Sequence, residues 1–153
     1  MIINLMAPVI PVVHSRNGVC MNRINERKTC FEIIFTFSFD TNKSIEDMIN
    51  IYKETNEIDD LSEYVISTVN GVYDKLQLID DKIKESIKGR KFERLDNVCL
   101  TAMRYATYEL LYNNDIPAKV AINEAIELTK KYDDSLSAFV HGNLAIIANG
   151  KDE

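Results

Sequence analysis

The chain has 153 residues, of which 46% are hydrophobic and 27% charged, with 5 Gly and 3 Pro. That composition excludes disordered, collagen-like and low-complexity chains and fits one domain with its own core, rich in helix. The formal charge of −6 argues against an unselective nucleic-acid binder, but the charge is unevenly spread.

Residues 1–39 carry four basic and two acidic side chains, whereas residues 40–153 carry fourteen and twenty-two, so the N-terminal segment is the basic end of an acidic protein. Cys20, Cys30 and Cys99 are odd in number and widely spaced. No CxxC or Cys/His cluster supports a disulfide framework or a zinc site, and a reducing cytoplasm is the expected setting. No apolar run reaches the roughly 18 residues of a membrane span. The opening "MIINLMAPVIPVVHSRNGVC" is apolar but has no basic residue ahead of the apolar run and is interrupted by Pro8 and Pro11, unlike a secretory signal. Gly18-Val19 back-translates to GGAGTN, which resembles a ribosome-binding site just before Met21. Residues 1–20 are therefore read as a leader outside the folded protein, and residues 21–150 as a single helical domain.

From Asn22 to Phe39, "NRINERKTCFEIIFTFSF" places Ile24, Phe31, Ile34, Phe35 and Ser38 at helical spacing behind Arg23, Arg27 and Lys28. The pattern predicts an amphipathic helix with a basic first two turns. Its rival, a strand over "FEIIFTFSF", lacks sustained alternation. After the polar break "DTNKS", Ser44 with Asp47 three residues on has the form of a capping box opening "IEDMINIYKET". In "LSEYVISTVNGVYDKLQLIDDKIKESI", Leu61, Tyr64, Val65, Thr68, Val69 and Val72 keep three-four spacing, and Leu76, Ile79, Ile83 and Ile87 repeat it. This predicts two helices hinged near Gly71 to Lys75. "KGRKFER" ends the stretch and, with Lys82 and Lys84, gives six basic residues between 82 and 94 against Glu85 and Glu93, a second basic patch.

"LDNVCLTAMRYATYELLYNN" is apolar almost all round, as a helix surrounded by others should be. Asp115-Ile116-Pro117 stops one helix and starts the next, since proline is tolerated in a first turn. "SLSAFVHGNLAIIANG" forms a last helix ending near Gly150. The expected fold class is all-α, with about seven helices and no sheet.

No catalytic constellation emerges. His14 and His141 are isolated, and GxxxxGK[ST], GxGxxG, HExxH and GxSxG are all missing. Glu109, Glu124 and Glu127 have no His or Cys at matching spacing, so no metal and no cofactor are expected. Binding is the better reading. On a helical wheel, Ala118, Ala121, Ile122, Ala125, Ile126, Leu128, Thr129 and Tyr132 fall on one core-facing arc. Lys119, Asn123 and Lys130 share one edge, a candidate flank for RNA phosphates or a partner's carboxylates, while Glu124, Glu127 and Lys131 lie on the solvated side. Arg23, Arg27 and Lys28, at i, i+4 and i+5, cluster at a helix start whose N–H groups add to the positive field, an arrangement suited to phosphate.

The stretch "MRYATYELLYNNDIPAKVAINEAIELTKKYDDSLSAFVHGNL" resembles the NusB family of bacterial transcription antitermination factors. The family's R-x-A-x-Y-E-L helix appears as Arg104 to Leu110, its D-[IV]-P-x-K-V-A-I-N-E-A-I-E-L-[AT]-K as Asp115 to Lys130, and its F-V-N-G as Phe139 to Gly142. More weakly, Arg23, Arg27 and Phe35 fit the family's arginine-rich first helix. The resemblance implies two packed helical subdomains that bind boxA RNA together with NusE, a small-subunit ribosomal protein, within the RNA polymerase antitermination complex. It implies no catalysis. Arg23, Arg27 and, at the ring of the F-V-N-G motif, Phe139 would contact RNA, with Lys28 added by the charge pattern. The chain departs from the family at Ile24 and Asn25, where arginines are common, at Ala138 and His141, and after Val98, where a charged pair is usual. Those departures keep a second expectation in view, a diverged helical protein-interaction module without RNA binding. A domain of the type that precedes RNA cytosine methyltransferases is not expected, because the sequence runs only three residues past Gly150.

Overall fold

Three of the helix starts are tied down by the side chain of a short polar residue. The Asn22 side chain accepts from the Asn25 N–H at 3.0 Å, Ser44 from Asp47 at 3.1 Å and Asp96 from Val98 at 2.8 Å. Each oxygen satisfies a backbone donor that has no partner inside the helix. A computed structural model describes residues 22–39 and 42–150. The expectations for residues 1–20, including His14 and a start at Met21, lie outside the described residues.

Among the described residues seven α-helices follow one another: α1 Arg23–Thr36, α2 Ile45–Thr55, α3 Glu63–Asp74, α4 Leu76–Ser86, α5 Asn97–Tyr112, α6 Ala118–Tyr132 and α7 Ser137–Gly150. Single 3-10 turns, Phe92–Arg94 and Asp134–Leu136, precede α5 and α7. No strand occurs among the described residues, so the all-α expectation holds and "FEIIFTFSF" is helical. The expected hinge is Lys75, the single residue between α3 and α4, whose N–H still bonds the Gly71 carbonyl at 3.0 Å. Pro117 sits at the cap of α6, one position before the helix.

The chain divides between Asn70 and Gly71 into two units. In the first, α1 packs against α2. Cys30, Phe31, Ile33 and Ile34 of α1 and Met48 and Ile49 of α2 are buried. Ile24 is not part of this apolar face, contrary to expectation, and is 61% exposed. The buried stripe instead runs Arg27, Cys30, Phe31 and Ile34, the i, i+3, i+4, i+7 pattern, so a basic residue occupies the place assigned to Ile24. At the end of α2, Ile58 N–H bonds Lys53 O at 2.8 Å and Glu57 adopts φ 55. This is a six-to-one helix stop with glutamate at the left-handed position that glycine usually fills.

In the second unit α4, α6 and α7 all pack against α5. Along α5 every residue from Cys99 to Thr107, and then Glu109 and Leu110, is buried. Ile79 and Ile83 of α4 with Ile87 just after it, Ala121, Ala125 and Leu128 of α6, and Val140, Leu144 and Ile147 of α7 supply the facing stripes at three- and four-residue intervals. Gly71 makes room for a ring of α5, since a Cβ there would run into the hydroxyl and ring of Tyr108. Arg104 is the polar tie of this core. Its Nε and Nη2 donate to the two carboxylate oxygens of Asp80 at 2.8 and 2.9 Å, a bidentate fork joining α5 to α4 with both side chains nearly covered.

Two outcomes follow. Arg104→Ala leaves Asp80 charged and uncompensated and is expected to cost about 3–5 kcal/mol in urea unfolding, with much of the loss recovered in the Arg104→Met, Asp80→Leu pair. Glu57→Gly relieves the left-handed backbone and is expected to stabilise by about 0.5–1 kcal/mol, seen as a Tm rise of a few degrees.

Candidate functional site

The cations expected to act together on α1 are treated differently by the fold. Arg23 is exposed, with its guanidinium 3.9 Å from the centroid of the Tyr64 ring and 3.8 Å from Glu26. Glu26 is itself buried and accepts from the Ser62 hydroxyl at 2.5 Å. Arg23 is thus held over an aromatic ring between α1 and the start of α3, and it stays exposed. Arg27 is 6% exposed, so it is not one of an outward-facing trio. The reason is the stripe described above, where position 27 is in register with Cys30, Phe31 and Ile34. Lys28 is half-buried.

One turn beyond Lys28 is Glu32, half-buried, whose Oε2 accepts from the Tyr52 hydroxyl at 2.7 Å. Burial raises its pKa above the ordinary 4.5, opposed by that hydrogen bond and by the charge of Lys28.

In the second unit the basic turn and the "FVHG" motif meet. The turn Ile87 to Arg90 is closed by the Arg90 N–H on the Ile87 carbonyl at 3.0 Å, with Gly89 at φ 81 in its third position, where a side chain would be strained. That turn lays the Arg90 guanidinium over the ring of Phe139, 4.4 Å from its centroid. The two border a cleft of about 510 Å³ whose walls include Lys91, Arg94, Cys99 and Leu136. Asp96 is the single carboxylate of the lining, and it is partly committed to capping α5. Arg90, Lys91 and Arg94 are exposed, and no ion pair among the described residues engages them. The cleft is therefore an anion-attracting hollow with an aromatic floor, a form suited to a nucleotide.

Cys99 closes the wall as a neutral thiol. Burial and then Asp96 push its pKa to about 11, against the pull of Arg90, so it is not a nucleophile at neutral pH. Cys99 and Leu100, which stand after Val98 where a charged pair is usual in the resembled family, are both buried. Ala138 and His141 flank Phe139 on the exposed side of α7.

The third candidate, the edge of α6, is on the surface as expected: Lys119, Asn123 and Lys130 are all exposed. Lys130 is 3.8 Å from Glu127, however, because residues three apart on a helix are only about 60 degrees apart around it. The edge is thus less basic than its wheel suggested. Glu124 is half-buried rather than fully solvated. Among the described residues no group of three or more His, Cys, Asp or Glu is placed to hold a metal ion, and no helix is long and apolar enough to cross a membrane. Two contacts had no signal in the linear pattern: Tyr64 beneath Arg23, and Arg90 upon Phe139. The first links residues 41 positions apart and the second 49, which only the fold brings together.

These features define an all-helical protein whose candidate sites are cation-aromatic surfaces. Its sequence matches the profile of the NusB family over residues 24–149, and the chain belongs to that family. It is 39% identical over 135 residues to the transcription antitermination protein NusB of Clostridium acetobutylicum, covering 87% of this chain and 99% of the relative. The NusB protein of Clostridium novyi is 38% identical, with 81% and 96% covered. Among solved structures, T. maritima NusB superposes with a TM-score of 0.73 at 31% identity over 84% of this chain and 92% of its own. A chain from a crystal structure of the antitermination factors NusB and NusE in complex with double-stranded RNA shares the fold, with a TM-score of 0.73 at 22% identity over 85% of this chain and 99% of that one.

The position of Glu32 beside the α1 cations has a measurable consequence. With its folded pKa raised, Glu32 takes up a proton in the folded state before the unfolded state does, so folding gains stability as pH falls from neutral toward 4.5. Glu32→Gln lacks that increment. Its Tm relative to wild type is expected to be most favourable at neutral pH and to drop steadily on acidification, and a pH-independent difference would refute the assignment.

Proposed function

We propose that the protein is a transcription antitermination factor that binds boxA-type leader RNA together with the ribosomal protein NusE, so that RNA polymerase reads through terminators in ribosomal RNA operons. The observation that carries this reading is the basic cleft around Phe139 in a chain of the NusB family. It is bordered by the Phe139 ring and by three cations, Arg90, Lys91 and Arg94, that no ion pair among the described residues engages. Residues 21–150 form the functional part, acting by binding rather than catalysis in the cytoplasm.

On α1, Arg23 and Lys28 are the proposed hydrogen-bond donors to RNA phosphates. Arg27, which is buried, lends its charge to their field rather than making the contact directly. Lys119, Asn123 and Lys130 form a secondary flank for RNA or for NusE. A second reading, a helical interaction module without RNA binding, is favoured by the burial of Arg27 together with Ile24 and Asn25, which leave α1 with fewer outward cations than an arginine-rich helix would have.

RNA affinity measured with and without NusE at rising salt separates the two. The expected result is preference for boxA over a scrambled RNA, stronger with NusE. Arg23→Ala and Lys28→Ala should each weaken binding several-fold and lower the salt slope by about 1. Equal affinity for both RNAs, unmoved by either substitution, would leave the interaction module as the function.

A further inference from the structure

If an unpaired base enters the cleft of the second unit, the obvious platform is the Phe139 ring. That face is already occupied. The Arg90 guanidinium lies 4.4 Å from the ring centroid, and Phe139 is half-buried while Arg90 is exposed. A planar guanidinium resting on a ring has one face spent on that ring and the other turned away from it, and its N–H edge remains available to a phosphate. The turn that delivers Arg90 is fixed by a backbone hydrogen bond and by a glycine at φ 81, so the arginine starts from a defined root rather than from a long free loop.

Resting on the RNA-binding reading above, we infer that Arg90, not Phe139, is the group that touches RNA in this cleft. The base stacks on the outer face of the guanidinium, and Phe139 is a positioning residue beneath it, giving a three-layer stack of base, Arg90 and Phe139. Lys91 and Arg94, which share the cleft wall, take the flanking phosphates, and Asp96 keeps phosphate from the side of the cleft nearest the start of α5. The arrangement spares the protein the cost of moving Arg90 off the ring, which a direct base-on-Phe139 stack would require. It also supplies stacking and charge from one side chain.

The experiment uses the full chain with its ribosomal protein partner and a boxA-type RNA carrying 2-aminopurine in place of single bases, comparing wild type, Arg90→Ala, Arg90→Lys, Phe139→Leu and the Arg90→Ala, Phe139→Leu double variant. Phe139→Leu retains most of the buried volume, and unchanged thermal unfolding of each variant is checked first. Arg90→Ala is expected to weaken RNA binding about tenfold and to abolish the fluorescence quench at one position. Arg90→Lys should lose most of that affinity and the quench while retaining the wild-type salt slope, because it keeps the charge and loses the plane. Phe139→Leu should cost less than Arg90→Ala, and the double variant should bind like Arg90→Ala alone. A wild type that binds boxA while Arg90→Ala matches it overturns this inference and leaves the proposed function standing. So does a larger loss from Phe139→Leu than from Arg90→Ala, or an Arg90→Ala defect confined to the protein partner. A wild type without preference for boxA overturns the functional reading and this inference with it.

Discussion

The second unit is organised by one constraint, the burial of α5 on nearly every side. A helix covered all round needs three neighbours, and α4, α6 and α7 provide them. A helix with no solvated face also has nowhere to put a charge except in a paired geometry. Arg104 solves this by its fork onto Asp80, which places two charge-assisted hydrogen bonds between α5 and α4. The pair is more a device of register than of net energy. Two N–H donors on two oxygens allow α4 one rotation and one height against α5, and the turn that follows α4 inherits that placement.

That inheritance links packing to the candidate site. The turn after α4 carries Gly89 and Arg90, the start of α5 carries Asp96 and Cys99, and the start of α7 carries Phe139. All three meet at one end of the unit because α4, α5 and α7 are packed together. The cleft is thus assembled from helix ends, where backbone turns and exposed termini leave room that helix middles do not. Its chemistry is that of binding: a neutral buried thiol, three cations, one aromatic ring and a single carboxylate. The first unit uses the same pairing of arginine on an aromatic face, Arg23 on Tyr64, with Glu26 and Ser62 steering the guanidinium.

Local rules read well where local physics dominates. Ser44 capped the helix that its spacing announced, Lys75 marked the break between α3 and α4, and the all-round apolar pattern of residues 97–112 identified the buried helix. They read poorly where a residue's neighbour comes from elsewhere. Arg27 has the charge and spacing of a surface residue, yet its wheel position coincides with Cys30, Phe31 and Ile34, and burial follows the stripe rather than the charge. Ile24 shows the converse, an apolar side chain left 61% exposed near the end of its helix. Lys130 belonged to a basic edge by angle, but the long side chains of residues 127 and 130 close the gap that the wheel leaves open.

The sequence by itself determined the helices, their order and the family, because capping, three-four periodicity and the run from Arg104 to Gly142 are properties of neighbours along the chain. Only the tertiary structure decided which cations face outward and what lies beneath them. Tyr64 under Arg23 and Phe139 under Arg90 are contacts between residues far apart in sequence. Such a contact depends on how helices rotate and slide against one another, and this is fixed by the packing of whole faces rather than by any short pattern.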